Sequence, residues 1–127
     1  MSPVRLSKFE SAMRVALDYH KALTRQDLTE MMNVVSDDCI FESASPAPDG
    51  GLYAGKAVMT FYWGEYFKKR EQVNREIEEI FSVGERCVLR WKSTWVGAAG
   101  EEKTSRGVDI FLVEDGVIKQ ILSYIKG

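Results

Sequence analysis

The sequence has few of the residues that build disulfide-linked or zinc-binding domains. It contains 2 cysteines and 1 histidine, whereas a structural zinc site takes about four ligands of these types. Cys39 and Cys87 each lie in an apolar, β-branched run rather than in a CxxC or Cys/His cluster. We interpret both as reduced core residues, because a redox or nucleophilic thiol would need a neighbouring cation or base. The sequence therefore predicts no metal site.

An excess of positive charge is also missing, as is any long apolar run. Lys and Arg number 17 against 19 Asp and Glu, and the net charge of -2 offers no basic surface for a nucleic-acid backbone. The N-terminal MSPVRLSKFESAMRV has no continuous apolar segment and no cleavage-site pattern. We expect no nucleic-acid partner, no membrane insertion and, by default, a cytoplasmic location.

What the sequence does contain is typical of one globular domain. Its 127 residues are 45% hydrophobic and 28% charged, which is enough to bury a core without disulfides or metals. No repeat, low-complexity stretch or linker divides the chain. We therefore expect a single domain over residues 1–127.

Apolar spacing predicts three helices. Residues 5–24 carry an apolar stripe, with Arg14, Asp18, Lys21 and Arg25 on the opposite face. Asp27 can cap a short second helix, and the two form a hairpin. Residues 56–69 carry too many aromatic and aliphatic side chains for a one-sided surface helix, so we expect this third helix to be substantially buried.

Five strands are predicted from short alternating runs. Residues 38–43 form the first, and residues 74–83, 87–96, 104–113 and 117–125 form an antiparallel meander separated by glycine-containing turns. The segment between residues 44 and 55 is dense in Pro, Gly and Asp, so it cannot continue a strand. We interpret it as a candidate lid over a pocket. The order helix, helix, strand, helix and four strands predicts an α+β fold.

Strand parity separates two partly apolar faces on residues 104–113. Gly107, Asp109 and Phe111 share one face, while Arg106, Val108, Ile110 and Leu112 share the other. This pattern fits a concave face that meets helices and a ligand and a convex face that meets another subunit. We therefore predict a homodimer through the convex face.

Asp109 is the most informative polar residue. An acid flanked by Val108, Ile110 and Phe111 must face solvent, be paired, or be held neutral in an apolar site. A salt bridge to Arg90 or Arg106 is one interpretation, although parity places Arg106 on the opposite face. The other interpretation is a role inside a pocket.

Tyr19 and His20 lie within or beside the apolar arc of the first helix, so both can point at the sheet. His20 lies nearer the centre of the arc. Each is either a hydrogen-bonded core residue or a pocket group.

Several segments together resemble a known superfamily. They are YHKALTRQDL at the end of the first helix, DDCIFES, PAPDGGLYAGKA, and RGVDIFLVEDGVI followed by SYIKG. Over essentially the whole chain the sequence resembles the nuclear transport factor 2-like superfamily, and within it SnoaL-like polyketide cyclase and ketosteroid isomerase domains. The resemblance implies a cone-shaped α+β barrel: three N-terminal helices on a strongly curved mixed, mainly antiparallel sheet, in the order ααβαββββ.

The resemblance also assigns roles to residues of this chain. In the isomerases a tyrosine on the first helix and a protonated aspartic acid on a late strand donate hydrogen bonds to an enolate, and Tyr19 and Asp109 match those positions. The isomerase base is matched by Ser43, with Glu42 beside it on the opposite strand face. Because serine is a weak proton acceptor at neutral pH, the usual base is missing, and His20 or Asp109 would have to replace it.

The cyclase likeness implies an aspartate acting on a polyketide enol without a cofactor, a role that Asp109 can fill. Limonene-epoxide hydrolases need an Arg-x-Asp pair on one strand face, and Arg106 and Asp109 have the wrong spacing for it. By parity and family position the pocket wall would comprise Phe41, Ser43, Trp63, Leu89, Trp91, Ser93, Phe111, Ile121 and Ser123. These residues suit a flat or ring-bearing ligand, although the same aromatics could fill a core.

Two functions follow as expectations. The first is a cofactor-independent isomerase or cyclase acting on a small hydrophobic carbonyl compound, with Asp109 as acid/base or oxyanion donor, Tyr19 as hydrogen-bond donor and His20 assisting. The second is a non-catalytic binding or dimerisation domain, because this fold also serves partner binding. The missing base favours the second.

Overall fold

The structure, a computed structural model, describes residues 8–69 and 73–126. Its helices are α1 (Lys8–Thr24), α2 (Leu28–Asn33) and α3 (Lys56–Lys69). Its strands are β1 (Val35–Ser43), β2 (Gly51–Ala54), β3 (Val73–Val83), β4 (Arg86–Val96), β5 (Glu102–Glu114) and β6 (Val117–Ile125). The predicted helices and the four-strand meander are confirmed, although the predicted start of α1 at residues 5–7 lies outside the described residues.

All six strands form one mixed sheet in the order β2-β1-β6-β5-β4-β3. Strand β1 runs parallel to β6, and every other neighbouring pair is antiparallel. The predicted α+β class with a curved, mainly antiparallel sheet is confirmed. The sheet is curled but not closed, since its edge strands β2 and β3 do not pair with each other.

Strand β2 corrects the sequence prediction for residues 44–55. The segment folds back after Ser43, and Leu52 and Tyr53 pair with β1, which makes the order ααββαββββ. The turn is closed by a 2.7 Å hydrogen bond from the Gly50 amide to the Pro46 carbonyl. Gly50 has a φ of +80°, and a Cβ there would collide with the main-chain oxygen of Ser43. The glycine therefore allows the sharp return that propensity alone treats as loop.

Helix α1 packs its apolar stripe on β3, β4 and β5. Its buried residues include Ala12, Ala16 and Tyr19, while Arg14 and Asp18 are exposed as predicted. The small alanines let the helix approach the sheet closely. Asp27 caps α2 as predicted: its carboxylate accepts a 3.1 Å hydrogen bond from the Glu30 amide.

Helix α3 is less buried than predicted. Met59 and Trp63, one turn apart, are its buried residues among those described, whereas Phe61 is 71% exposed. The expectation of a substantially buried helix therefore holds for one face, because the aromatics at Tyr62 and Tyr66 lie at the flank of that face and are only half-buried. This flank borders the cavity described below.

The sheet presents an inner face to α1 and an outer face on the other side. Gly107, Asp109 and Phe111 are buried on the inner side of β5, as parity predicted. On the outer side an apolar stripe crosses four strands in register, comprising Phe81, Val88, Ile110 and Leu122. The homodimer through this face stays a prediction.

Both cysteines are free and buried, so the interpretation of reduced core residues is confirmed. Burial, with a smaller contribution from the Asp38 charge, raises the pKa of the Cys39 thiol to about 12. Such a thiol is a poor nucleophile at neutral pH. Among the described residues, no helix has the length and apolar character needed to cross a membrane.

Candidate active site

A cavity of about 540 Å³ lies on the inner face of the sheet. It is bounded by β1, the segment after β1, helix α3 and strands β3 to β6. Its lining residues are Phe41, Ser43, Ala44, Ser45, Ala47, Pro48, Tyr62, Trp63, Tyr66, Arg75, Trp91, Ser93, Trp95, Ser105, Ser123 and Ile125. The segment interpreted as a lid thus forms part of the cavity wall.

One side of the cavity is built from aromatic rings on β1 and α3. Trp63 stacks on Phe41 with ring centroids 5.6 Å apart, and Tyr62 meets Phe41 edge to face at 5.1 Å. Tyr66 packs edge to face on Trp63 at 5.0 Å. These mutual contacts fix the rings, so the wall is suited to a flat, ring-bearing ligand.

Ser43 lies on this aromatic side, and its hydroxyl is already engaged. Its Oγ lies 2.6 Å from the Tyr62 hydroxyl and accepts a 3.1 Å hydrogen bond from the Ser45 amide. Ser43, which occupies the position of the isomerase base, therefore links β1 to α3 and to the segment that follows β1.

The opposite side of the cavity is polar and is centred on Asp109. Strand register places Asp109 directly beside Ser123 of β6 and Leu89 of β4. Ser123 donates a 2.7 Å hydrogen bond to Asp109 Oδ1. Asp109 is 4% exposed, and Ser123 rather than Asp109 reaches the cavity wall. The carboxyl group thus lies immediately behind the wall.

Arg75 completes this polar side and was missed by the sequence analysis. Its Nη1 lies 4.0 Å from Asp109 Oδ2, and the two side chains are 7% and 6% exposed. Its guanidinium lies 3.8 Å above the centre of the Trp91 ring. A usable signal was present in the sequence, because Arg75 has the same parity as Ile77 on β3 and must face the same way.

Gly107 lets the Trp91 ring pack directly against β5, beneath the Arg75 guanidinium. A Cβ there would collide with the Trp91 indole and would lie 2.6 Å from the Tyr124 carbonyl oxygen. Trp91 therefore lies flat against β5, where its ring supports the Arg75 guanidinium. The three residues form a layered Gly107–Trp91–Arg75 stack.

Of the two interpretations of Asp109, the one that pairs it with Arg90 or Arg106 is wrong. Arg106 Nε donates a 3.0 Å hydrogen bond to Glu78, and Arg90 Nε lies 3.9 Å from the same carboxylate. These three residues lie on the outer face of the sheet, whereas Asp109 lies on the inner face with Arg75.

Tyr19 lies beside the Asp109 region, within the core. It is 1% exposed and packs edge to face on Phe111 at 5.7 Å. Burial, and then the nearby charge of Asp109, raise the pKa of its phenol well above the ordinary value. The Trp63 indole approaches the hydroxyl, but neither atom completes a hydrogen bond with a described residue. Tyr19 is therefore a buried neutral donor.

His20 lies on another side of Arg75. It borders a separate groove with Lys21, Thr24, Arg25, Arg75 and Ile77. Burial, and then the positive charge of Arg75, lower the pKa of His20 to about 4. It is therefore neutral at pH 7, and its hydrogen bond is to the main chain of Arg75.

The structure brings some of the sequence-predicted residues together at the cavity and leaves others in the core. Phe41, Ser43, Trp63, Trp91, Ser93 and Ser123 line the cavity. Leu89, Phe111 and Ile121 are buried in the core beneath it, and Tyr19 and Asp109 lie behind its wall. The roles proposed for these residues stay predictions.

Comparison with known proteins identifies the family. The family model described as SnoaL-like domain matches residues 16–121. No curated protein matches the chain at a significant level.

Solved structures with the same fold cover almost the whole chain. An NTF2-like protein of unknown function from Mesorhizobium loti has 24% identity and a TM-score of 0.80, with 100% of each chain covered. A candidate ketosteroid isomerase from Kribbella flavida has 15% identity and a TM-score of 0.81, covering 97% of this chain and 83% of its own. A candidate SnoaL-like polyketide cyclase from Jannaschia has 11% identity and a TM-score of 0.82, covering 98% and 92%. At these identities the likeness shows the fold.

Proposed function

The chain belongs to the SnoaL-like domain family, and we propose that it is a cofactor-independent isomerase- or cyclase-type enzyme acting on a small ring-bearing carbonyl compound. The observation that carries the proposal is Asp109, a buried carboxyl group hydrogen-bonded to the cavity-lining hydroxyl of Ser123. A carboxyl group hydrogen-bonded to a cavity-lining hydroxyl is a geometric candidate for proton transfer.

The shape and lining of the cavity support a substrate of this kind. Its volume of about 540 Å³ is within the range of small-molecule sites. The aromatic wall of Phe41, Tyr62 and Trp63 offers ring faces, and the polar side offers a few converging groups. A ring-bearing ketone can therefore lie against the aromatic wall with its carbonyl oxygen toward Arg75.

We assign proton transfer to Asp109. It accepts a hydrogen bond from Ser123 and faces a guanidinium, and the cavity-lining Ser123 hydroxyl would take the substrate α-proton as it passes its own proton to Asp109. The Arg75 charge would stabilise the enolate oxygen that develops as the α-proton leaves. In isomerisation the proton returns from Asp109 to another carbon of the enolate. In cyclisation the enolate carbon attacks a second carbonyl group of the ligand, whose π bond breaks, and the resulting alkoxide takes the proton.

This assignment differs from the isomerase pattern in one respect. There the late-strand acid is protonated and donates to the enolate, whereas here Arg75 provides the positive charge and the position of the usual base is Ser43. Asp109 would therefore serve as the base, and Arg75 as the electrophilic group. His20 would act on Arg75 through its main chain rather than on the substrate.

A non-catalytic ligand-binding domain is the second candidate. No carboxylate is among the described residues that line the cavity, and the Ser43 hydroxyl is engaged by Tyr62 and the Ser45 amide. Both observations favour binding without turnover, because a substrate proton would have to reach Asp109 past Ser123.

The homodimer is a related proposal and concerns the outer face. The stripe of Phe81, Val88, Ile110 and Leu122 is apolar and continuous across four strands, so two copies can pair it back to back. Sedimentation at micromolar concentration tests it: a dimer is expected, and a monomer would contradict it.

Hydrogen–deuterium exchange at carbon tests the enzyme directly. The protein is incubated with 2-tetralone, a flat bicyclic ketone with acidic α-protons, in deuterated buffer, and exchange is followed by proton NMR. We expect enzyme-dependent exchange, reduced about 10²- to 10⁴-fold by Asp109→Asn. Glu78→Gln, which removes the outer-face carboxylate, is the matched control and should leave the rate unchanged.

The outcomes separate the two candidate functions. Equal rates for Asp109→Asn and the unaltered protein would show that Asp109 is not the base. Binding of 2-tetralone without exchange would favour the binding domain.

A further inference from the structure

We infer that the natural ligand of the cavity carries an acidic oxygen group, a carboxylate or an enolised dicarbonyl, that is bound as the anion by Arg75. The inference rests on the proposed function to the extent that this cavity is the ligand site, and it specifies the class of ligand. It assigns Arg75 as the residue that selects this class.

The Arg75 guanidinium has donors that the protein does not use. Guanidinium carries five N–H donors, yet its contact to Asp109 Oδ2 is 4.0 Å long, which is beyond hydrogen-bond distance. No hydrogen bond joins this group to another described side chain. Arg75 nevertheless lines the cavity while only 7% of its side chain is exposed. Its free donors are therefore accessible to a ligand and partly shielded from water.

Its neighbours on the wall include polar atoms that lie beneath the cavity surface and have no partner among the described residues. Trp91 Nε1, Trp63 Nε1 and Ser93 Oγ are buried and make no hydrogen bond to a described residue, and all three residues line the cavity. Ser93 lies directly across from Arg75 in the sheet register. Among the described side chains that line the cavity there is no carboxylate, so no negative charge on the wall opposes the charge of Arg75.

The polar side has a carboxylate immediately behind its wall. Asp109 is the carboxylate there, and one of its oxygens already accepts from Ser123 at 2.7 Å. A buried donor without a partner is costly, and a ligand with two oxygen acceptors would satisfy two of the unused guanidinium donors of Arg75. The fork of a guanidinium matches the paired oxygens of a carboxylate or an enolised dicarbonyl.

The stacking of Arg75 favours this role over a purely structural one. The guanidinium lies 3.8 Å above the Trp91 ring, and the ring is held flat by the absence of a Cβ at Gly107. The charge is thereby fixed at the cavity wall. Because Asp109 would repel an anion, the ligand oxygens should bind the donors that point away from that carboxylate.

Matched ligands test this inference by isothermal titration calorimetry. The probes are 2-naphthoate and 2-naphthamide at pH 7.5, which have nearly the same shape but differ in charge. We expect the unaltered protein to bind 2-naphthoate at least about tenfold more tightly than 2-naphthamide, as a charged hydrogen bond to guanidinium implies. In Arg75→Gln the preference should disappear, while naphthamide binding is retained.

Controls keep the result independent of folding. Arg75→Gln leaves Asp109 buried beside an uncharged group, so the double variant Arg75→Gln/Asp109→Asn, which removes both charges, is measured in parallel and should also lack the preference. Arg106→Gln removes an arginine from the outer face and should keep it.

Equal binding of the two probes, no binding of 2-naphthoate up to millimolar concentration, or a preference retained in both Arg75 variants would each overturn the inference. The result is separable from the proposed function. A charge preference without deuterium exchange supports the ligand class and rejects catalysis. Deuterium exchange without a charge preference supports catalysis and rejects the ligand class.

Discussion

Two arginine–carboxylate clusters lie on opposite faces of the same strands. On the inner face Arg75 and Asp109 are separated by 4.0 Å and are almost fully buried. On the outer face Glu78 accepts a 3.0 Å hydrogen bond from Arg106, and these side chains are 26% and 44% exposed. The outer pair has the better geometry, yet water screens it and replaces its hydrogen bonds. The inner pair has the poorer geometry, but little water reaches it, so each charge is stabilised mainly by neighbouring protein groups.

The difference indicates which cluster serves a ligand. A surface pair contributes little to stability, and water satisfies any donor or acceptor that the pair leaves free. A buried pair with unused donors is poor for stability, since its desolvation is not offset by close hydrogen bonds. Such an arrangement becomes reasonable when a third group, the ligand, completes it.

Arg75→Ala should produce the largest effect that separates the clusters. Removing the guanidinium leaves the Asp109 carboxylate buried without a counter-charge, and we expect a loss of about 3–5 kcal/mol in the free energy of unfolding. Urea denaturation at pH 7 measures it. Arg75→Ala/Asp109→Asn should recover a substantial part of this loss, and a double variant no more stable than the single one would show that packing on Trp91 dominates.

His20 should make the stability of the inner cluster depend on pH. Its pKa is about 4 in the folded protein and about 6.5 when unfolded, so the unfolded chain binds the proton more readily. The stability that neutral His20 gives the folded protein is fully present above about pH 6.5. It is lost as the pH falls from about 6.5 to 4, by about 2–3 kcal/mol in total. Urea denaturation between pH 7 and 4 measures the loss.

His20→Gln supplies the control for this titration, since the carboxylates also change stability in acid. The variant should lose less stability over the same range, and the difference between the two curves is the His20 contribution. Parallel curves for the two proteins would contradict the assignment.

Gly107→Ala should disturb the inner cluster by an intermediate amount. The added methyl group meets the Trp91 indole and the Tyr124 carbonyl oxygen, so Trp91 must tilt and Arg75 must move with it. We expect a destabilisation of about 1–3 kcal/mol and weaker binding of 2-naphthoate. Gly64→Ala is the matched control, because the nearest atom to its new methyl group is 3.9 Å away. This change inside α3 should be neutral or stabilising by up to about 1 kcal/mol.

The sequence predicted the elements better than the contacts between them. Apolar periodicity located α1, α3 and the meander, because those patterns are set by local geometry. It does not mark the bulge in β3 between Ile77 and Glu79, which places Glu78 and Glu79 both on the outer side and turns Ile80 inward. A single added residue reverses parity, and nothing in the local composition marks it.

The candidate site shows the same division. Parity and the resemblance selected Asp109 and Ser123, which the structure joins by a hydrogen bond. No faces were assigned to residues 74–83 from the sequence, so Arg75 was not considered, although parity puts this residue on the same face as Ile77. The stacking of Arg75 depends on Trp91 and Gly107 from two other strands, and those contacts are tertiary rather than local.

The smallest effect is expected on the outer face, from Arg106→Ala. The change removes the 3.0 Å hydrogen bond to Glu78, but Arg90 stays near the same carboxylate and water can solvate it. We expect a destabilisation below about 1 kcal/mol that shrinks further in 0.5 M salt, and no change in the preference for 2-naphthoate. Urea denaturation at low and high salt, with calorimetry on the same samples, measures both. If Arg106→Ala destabilised the protein as much as Arg75→Ala, burial would not be what distinguishes the clusters, and the case for a ligand-completed inner pair would fail with it.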